Sequence, residues 1–145
     1  MNRVISVTIL LLLFSFSPAR GQEVFTVTVG SAHYATDETK DETNPGFIVT
    51  NGLSSRLDVK WGAFKNSEGK SSAFLAVGPD FRIGNYIRGS AVVAAASGYG
   101  TLITPLQTGS VVYFPAANIS VGPKKYSGTF ILLPGSVGFG ATIRF

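Results

Sequence analysis

From Val24 onward the apolar positions fall in short alternating blocks separated by Gly, Pro, Asn and Ser, and no stretch has the length or period of a long helix. The pattern predicts an all-β domain of eight strands. They lie near Val24 to Ala35, Gly46 to Asn51, Arg56 to Lys65, Ser71 to Gly78, Ile87 to Gly98, Ser110 to Asn118, Tyr126 to Leu133 and Val137 to Phe145. In the last of these, Val137, Phe139, Ala141, Ile143 and Phe145 alternate with Gly138, Gly140, Thr142 and Arg144, so one face is apolar and the other small or polar. The fifth departs from this, since Ser90 to Ser97 reads SAVVAAAS and is small and apolar on both faces.

An even number of strands brings both chain ends to one side, as single-chain bacterial barrels require. Closure also removes sheet edges, whose unpaired groups are costly in lipid. The expected architecture is therefore an eight-stranded antiparallel up-and-down transmembrane β-barrel. The turns at Gly52 to Ser55 and Val121 to Lys125 are short and suit the periplasmic side; the connections at Asp37 to Pro45, Asn66 to Lys70, Tyr99 to Gly109 and Pro134 to Ser136 suit the outer side. A lumen of this size is barely wider than its own side chains. An apolar one either holds an acyl chain or is packed shut, and is not a water-filled pore. The rival architecture is a soluble periplasmic lipid-binding barrel, apolar inside and polar outside.

Ahead of the strands, Arg3 precedes an apolar run from Val4 to Phe16, then Pro18 and the small-residue pattern Ala19, Arg20, Gly21. This is the layout of a secretory signal peptide, residues 1–21, cleaved after Gly21 to leave 22–145 as one domain. The run is shorter than the roughly 20 apolar residues of a spanning helix. The domain keeps ten Lys and Arg against eight Asp and Glu, and 10 minus 8 gives only +2, so the high whole-chain pI does not point to nucleic acid. Absence of cysteine excludes disulfides, Cys-based zinc sites and a cysteine nucleophile, and a single histidine excludes a three-histidine metal site. No metal and no cofactor are expected. The acidic cluster Asp37, Glu38, Asp41 and Glu42 has no calcium-loop spacing and reads as a solvated loop. Trp61, Phe64, Tyr99, Tyr113, Phe114 and Phe139 are either membrane-interface aromatics or lumen filling.

Three polar residues fall at one rim of this layout: His33 at the outer end of the first strand, and Asn66 with Ser67 where the third enters its loop. An imidazole can take a proton from a hydroxyl, which can then attack an ester carbonyl. The bland alternative is a hydrogen-bonded histidine beside a common Asn-Ser turn pair.

Several segments, in order, resemble the lipid A palmitoyltransferase family of Gram-negative outer membranes. SAHYATDETKDETNPGF, from Ser31 to Phe47, looks like that family's first strand and loop. In GAFKNSEGKSSAFLAVG, from Gly62 to Gly78, AFKNS is similar to the family's Ala-Phe-Lys-Asp-Ser. ITPL from Ile103, ISVGP from Ile119, LLPG from Leu132 and the final IRF follow the family's C-terminal half. A last strand stopping on Phe145 also resembles the strand by which outer-membrane barrels are recognised for insertion. The resemblance implies an eight-stranded barrel that moves an acyl chain from phospholipid to lipid A. It places the functional polar residues on His33, Asn66 and Ser67, and the base of the acyl-chain pocket on Gly78. It also implies outer-membrane lipids and the barrel-assembly machinery as partners, a monomer, and the outer membrane of a Gram-negative cell as location. Three departures weigh against activity: the family's aspartate is Asn66 here, its amphipathic helix before the first strand is missing, and its early strand proline is Thr28. The alternative is a non-catalytic barrel of the same fold. A lipid A deacylase would need its histidine and serine together on one strand, which is not found.

Overall fold

The computed structural model describes residues 24–34, 43–66, 68–100 and 106–145. The expected signal peptide and Ser67 lie outside them. Eight long strands are present: β1 (Val24–His33), β2 (Gly46–Gly52), β3 (Leu57–Lys65), β4 (Ser71–Ile83), β5 (Ile87–Ala96), β7 (Val111–Val121), β8 (Tyr126–Leu133) and β9 (Ser136–Arg144). A two-residue strand, β6 (Gln107–Thr108), hairpins onto the start of β7. Neighbours in sequence pair antiparallel around the ring, β1 pairs β9, and the β5–β7 ladder completes it. The fold is a closed eight-stranded antiparallel β-barrel, as the alternation predicts.

Strand positions agree with the sequence reading except at β4, which runs to Ile83 rather than stopping at Gly78. Gly-Pro-Asp reads as a turn, but Pro79 faces outward and only locally interrupts the ladder. Val77 pairs Val93 and pairing resumes at Asp80 with Ser90. The true turn follows at Gly84, which has φ 61°.

Polarity along the strands is inverted relative to a soluble barrel. Large apolar side chains stand exposed on the outside of every long strand: Val27, Phe47, Leu57, Leu75, Val93, Tyr113, Phe130 and Phe139 are examples. Inside, Thr26, Thr50, Lys60, Ser90, Ser120, Thr129, Thr142 and Arg144 are buried. On the outer face Phe25 stacks on Phe47 with centroids 6.1 Å apart, and Phe47 meets the edge of Trp61 at 6.3 Å. Phe130 and Phe139 pair similarly at 5.8 Å.

A bulge in β1 decides what faces the lumen above it. Thr28 pairs Gly140 and Gly30 pairs Phe139, which leaves Val29 as an extra residue. Below the bulge Thr26 and Thr28 point inward. Above it the phase reverses, so Ser31 and His33 line the interior while Ala32 and Tyr34 are exposed.

Candidate functional site

The lumen is divided at its waist. Thr26, Thr142, Thr129 and Ser120, on β1, β9, β8 and β7, form a chain of hydroxyl hydrogen bonds of 2.7, 2.5 and 2.8 Å. Ser90 donates to Asn118 across β5 and β7, and Lys60 donates to Thr50 across β3 and β2 at 3.2 Å. Thr26, Thr50, Lys60 and Asn118 border the cavity above this belt and also the cavity below it. Each of these belt side chains finds its partner on a neighbouring strand, which is how polar residues tolerate a narrow lumen.

Above the belt lies an apolar cavity of about 160 Å³. Its walls are Ile48, Phe64, Phe74, Ala76, Val92, Ala94, Phe114, Ala116 and Ile131. The small side chains of β5 that blur its alternation keep this side open. Phe64 and Phe74 pack against each other at 5.9 Å. His33, Asn44, Tyr99 and Ser136 border the upper end. Burial, with the Glu68 carboxylate adding to it, pushes the Tyr99 hydroxyl up to about 12, so it remains a neutral phenol.

Two seams in the upper wall lack a backbone ladder. β1 and β2 pair only as far as Thr28 with Gly46. There Asn44 substitutes side-chain bonds: it accepts from Ser31 Oγ through Oδ1 and from Thr28 Oγ1 through its carbonyl at 3.2 Å, and its Nδ2 donates to Lys65 O at 2.9 Å. β7 and β8 pair only up to Ala117 with Leu132, leaving Phe114, Pro115 and Ala116 beyond the ladder. Pro115 has no N–H to leave unpaired, which suits this position.

Of the sequence-predicted site residues, Ser67 lies outside the described residues, and His33 and Asn66 share no hydrogen-bond partner. His33 borders the upper cavity, opposite Ser136 in the ladder, and its Nδ1 is buried without a hydrogen-bond partner. Asn66 is completely buried and bonds elsewhere: Nδ2 donates to Ser72 Oγ and Gly98 O, and Oδ1 accepts from the backbone N–H of Glu68 and Lys70, all at 3.0 Å. Both donors and both acceptor directions of the amide are thereby used in closing the β3–β4 turn and tying it to the end of β5. Glu68 reinforces that tie by accepting from Gly100 N and from Lys70 Nζ at 3.0 Å. Gly78 is buried but does not border the upper cavity. A Cβ there would strike the Ala91 carbonyl, so this glycine permits close approach of β4 and β5 rather than leaving space for a chain end. Among the described residues no group of His, Asp and Glu side chains is placed to hold a metal ion.

Sequence reasoning did not single out Asn44, which closes the β1–β2 seam, or the arginines below the belt. Asn44 carried a signal in its neighbour: Asn-Pro after a charged loop marks where a loop re-enters a strand.

No protein-family model and no curated protein matches the sequence. Among solved structures, the backbone structure of the Yersinia pestis outer membrane protein Ail in a phospholipid bilayer nanodisc aligns with a TM-score of 0.50 and 14% identity, over 87% of this chain and 100% of that one. The crystal structure of Ail, the attachment invasion locus protein of Yersinia pestis, aligns with a TM-score of 0.42 and 15% identity, over 86% of this chain and 97% of that one. At such identity the first alignment speaks to fold alone, and the fold it shares with this chain is the closed eight-stranded antiparallel barrel.

Proposed function

We propose that this chain is a non-catalytic barrel spanning the outer membrane of a Gram-negative cell. The observation that carries the reading is its inverted polarity: exposed Val, Leu, Phe and Tyr around the outside, with hydroxyls, lysine and arginine inside. In water such a surface far exceeds the apolar patches that monomeric soluble proteins leave exposed. In lipid each large outward side chain is favourably placed, and closure leaves no edge. The shared fold with a solved outer-membrane protein supports the same placement. Short turns at Leu53–Arg56, Gly84–Tyr86 and Gly122–Lys125 belong to the periplasmic end, and the connections after β1, β3, β5 and β8, which include the two longest, form the outer end. The barrel acts as a monomer surrounded by phospholipid and lipid A and reaches the membrane as an exported precursor through the barrel-assembly machinery. The filled waist argues against a channel.

Acyl transfer to lipid A is the second reading, favoured by one observation: the unpartnered Nδ1 of His33 beside an apolar cavity. Two others oppose it. The amide of Asn66 is committed to the turn and is not available to orient His33. A cavity of about 160 Å³ resembles the roughly 150 Å³ engineered cavity that takes benzene, with six carbons; a palmitoyl chain has sixteen. Mass spectrometry of lipid A from cells expressing the chain or its His33→Ala variant, at matched levels of folded barrel, separates the readings. The expected result is no added acyl mass in either. An added acyl mass that disappears with His33→Ala would establish the transferase instead.

A further inference from the structure

The cavity below the hydroxyl belt, about 300 Å³, is bordered by Lys60, Arg82, Arg88 and Arg144 but only by Asp58 and Asp80 as carboxylates, leaving two positive charges uncompensated. The carboxylates do not reach the arginines as ion pairs. Asp58 lies 3.5 Å from Lys60. Arg82 turns away to the β4–β5 turn, where its Nε donates to Gly84 O at 2.9 Å and its Nη2 to Asn85 Oδ1 at 3.1 Å. Arg144 Nη1 donates to Ser127 Oγ at 2.8 Å. Arg88 makes no such bond, and its Nη2 is buried without a partner.

This arrangement opposes its own stability. Arg82 and Arg88 are direct cross-strand partners, and like charges directly opposite one another are destabilising. Arg144, on β9, borders the same cavity. Ser120 on β7 and Thr142 on β9, both part of the belt, border it too. Two guanidinium groups, one with a buried N–H donor that has no partner, thus line one cavity. Guanidinium forks match tetrahedral oxyanions in a way they do not match a halide.

We propose that the lower lumen binds a phosphate-class oxyanion between Arg88 and Arg144. The anion supplies the acceptor that Arg88 Nη2 lacks and relieves the repulsion among the arginines. Asp80 borders the same cavity and weakens binding by its charge.

The test is titration of the full folded chain with inorganic phosphate, followed by calorimetry and by phosphorus NMR, in phospholipid-free detergent with chloride held constant. Heat-modifiable gel migration certifies the fold of every sample and separates failure of this site from failure of the barrel. Saturable phosphate binding is expected, weakened about tenfold or more in Arg88→Gln, less in Arg88→Lys, and strengthened in Asp80→Asn. Repeating the titration in phosphatidylglycerol nanodiscs assigns the source. Unchanged binding means free phosphate from water; loss of binding means that a lipid headgroup already occupies the site. Absence of saturable binding by folded wild type in detergent, or equal binding by wild type and Arg88→Gln, overturns the proposal.

Discussion

Leu75→Arg is expected to destabilise the barrel in a bilayer by about 2–4 kcal/mol, the range for a cation at the lipid-facing midplane. Leu75 faces outward within β4, and its ladder partner Trp61, the central residue of β3, places it toward the middle of the wall. Ile83→Arg is the matched control. That residue is also apolar and exposed, but it ends β4 beside the turn, where the same change costs about 0–1 kcal/mol. Reversible urea unfolding in bilayers of short-chain lipid reads the difference. A soluble barrel gives neither the large cost at Leu75 nor the dependence on position, because an exposed arginine in water costs almost nothing.

Asn66→Asp is expected to cost about 2–4 kcal/mol and to confer no acyl transfer. The carboxylate keeps the acceptors for the N–H groups of Glu68 and Lys70 but loses the donors to Ser72 Oγ and Gly98 O. Ser72 can turn its hydroxyl to donate instead, but the bond to Gly98 O is lost and that carbonyl faces a negative oxygen in a fully buried site, where an unmade hydrogen bond carries its desolvation cost. The turn needs an acceptor on one side and a donor on the other, which an amide supplies and a carboxylate does not. Denaturant unfolding gives the stability, and lipid A mass spectrometry gives the activity. A variant as stable as wild type that adds an acyl mass would reinstate the enzyme reading.

Much of the wall was legible in the sequence because period-two alternation registers which face meets which surroundings. β8 matches its expected limits, and the other long strands except β4 differ only near their ends. β4 was truncated because Gly78 and Pro79 carry the composition of a turn, whereas a barrel wall tolerates a proline that points outward. The place of His33 at the rim was legible, but its inward orientation was not. The cause is the bulge at Val29, a single residue that reverses the phase and leaves no compositional mark. Asn66 was found as a polar residue at a strand end, but whether such an amide serves chemistry or a turn depends on its four partners, three of them within the turn and β4 and one, Gly98, brought in from beyond β5. The division of the lumen was equally hidden. Thr26 is more than a hundred residues from Thr129 and Thr142 and meets Thr142 only when β1 closes on β9.

The most direct test of the account uses Trp61, the only tryptophan in the chain, which stands on the outer face of β3 against Phe47. The folded protein is reconstituted in bilayers whose acyl chains carry bromine at defined depths, and Trp61 emission is compared with that in unbrominated lipid. The account predicts strong quenching that is greatest for bromines well within the hydrocarbon region, with little effect from acrylamide in the water. Emission insensitive to brominated lipid but quenched by aqueous acrylamide would contradict it, because the apolar wall of the barrel would then not face lipid.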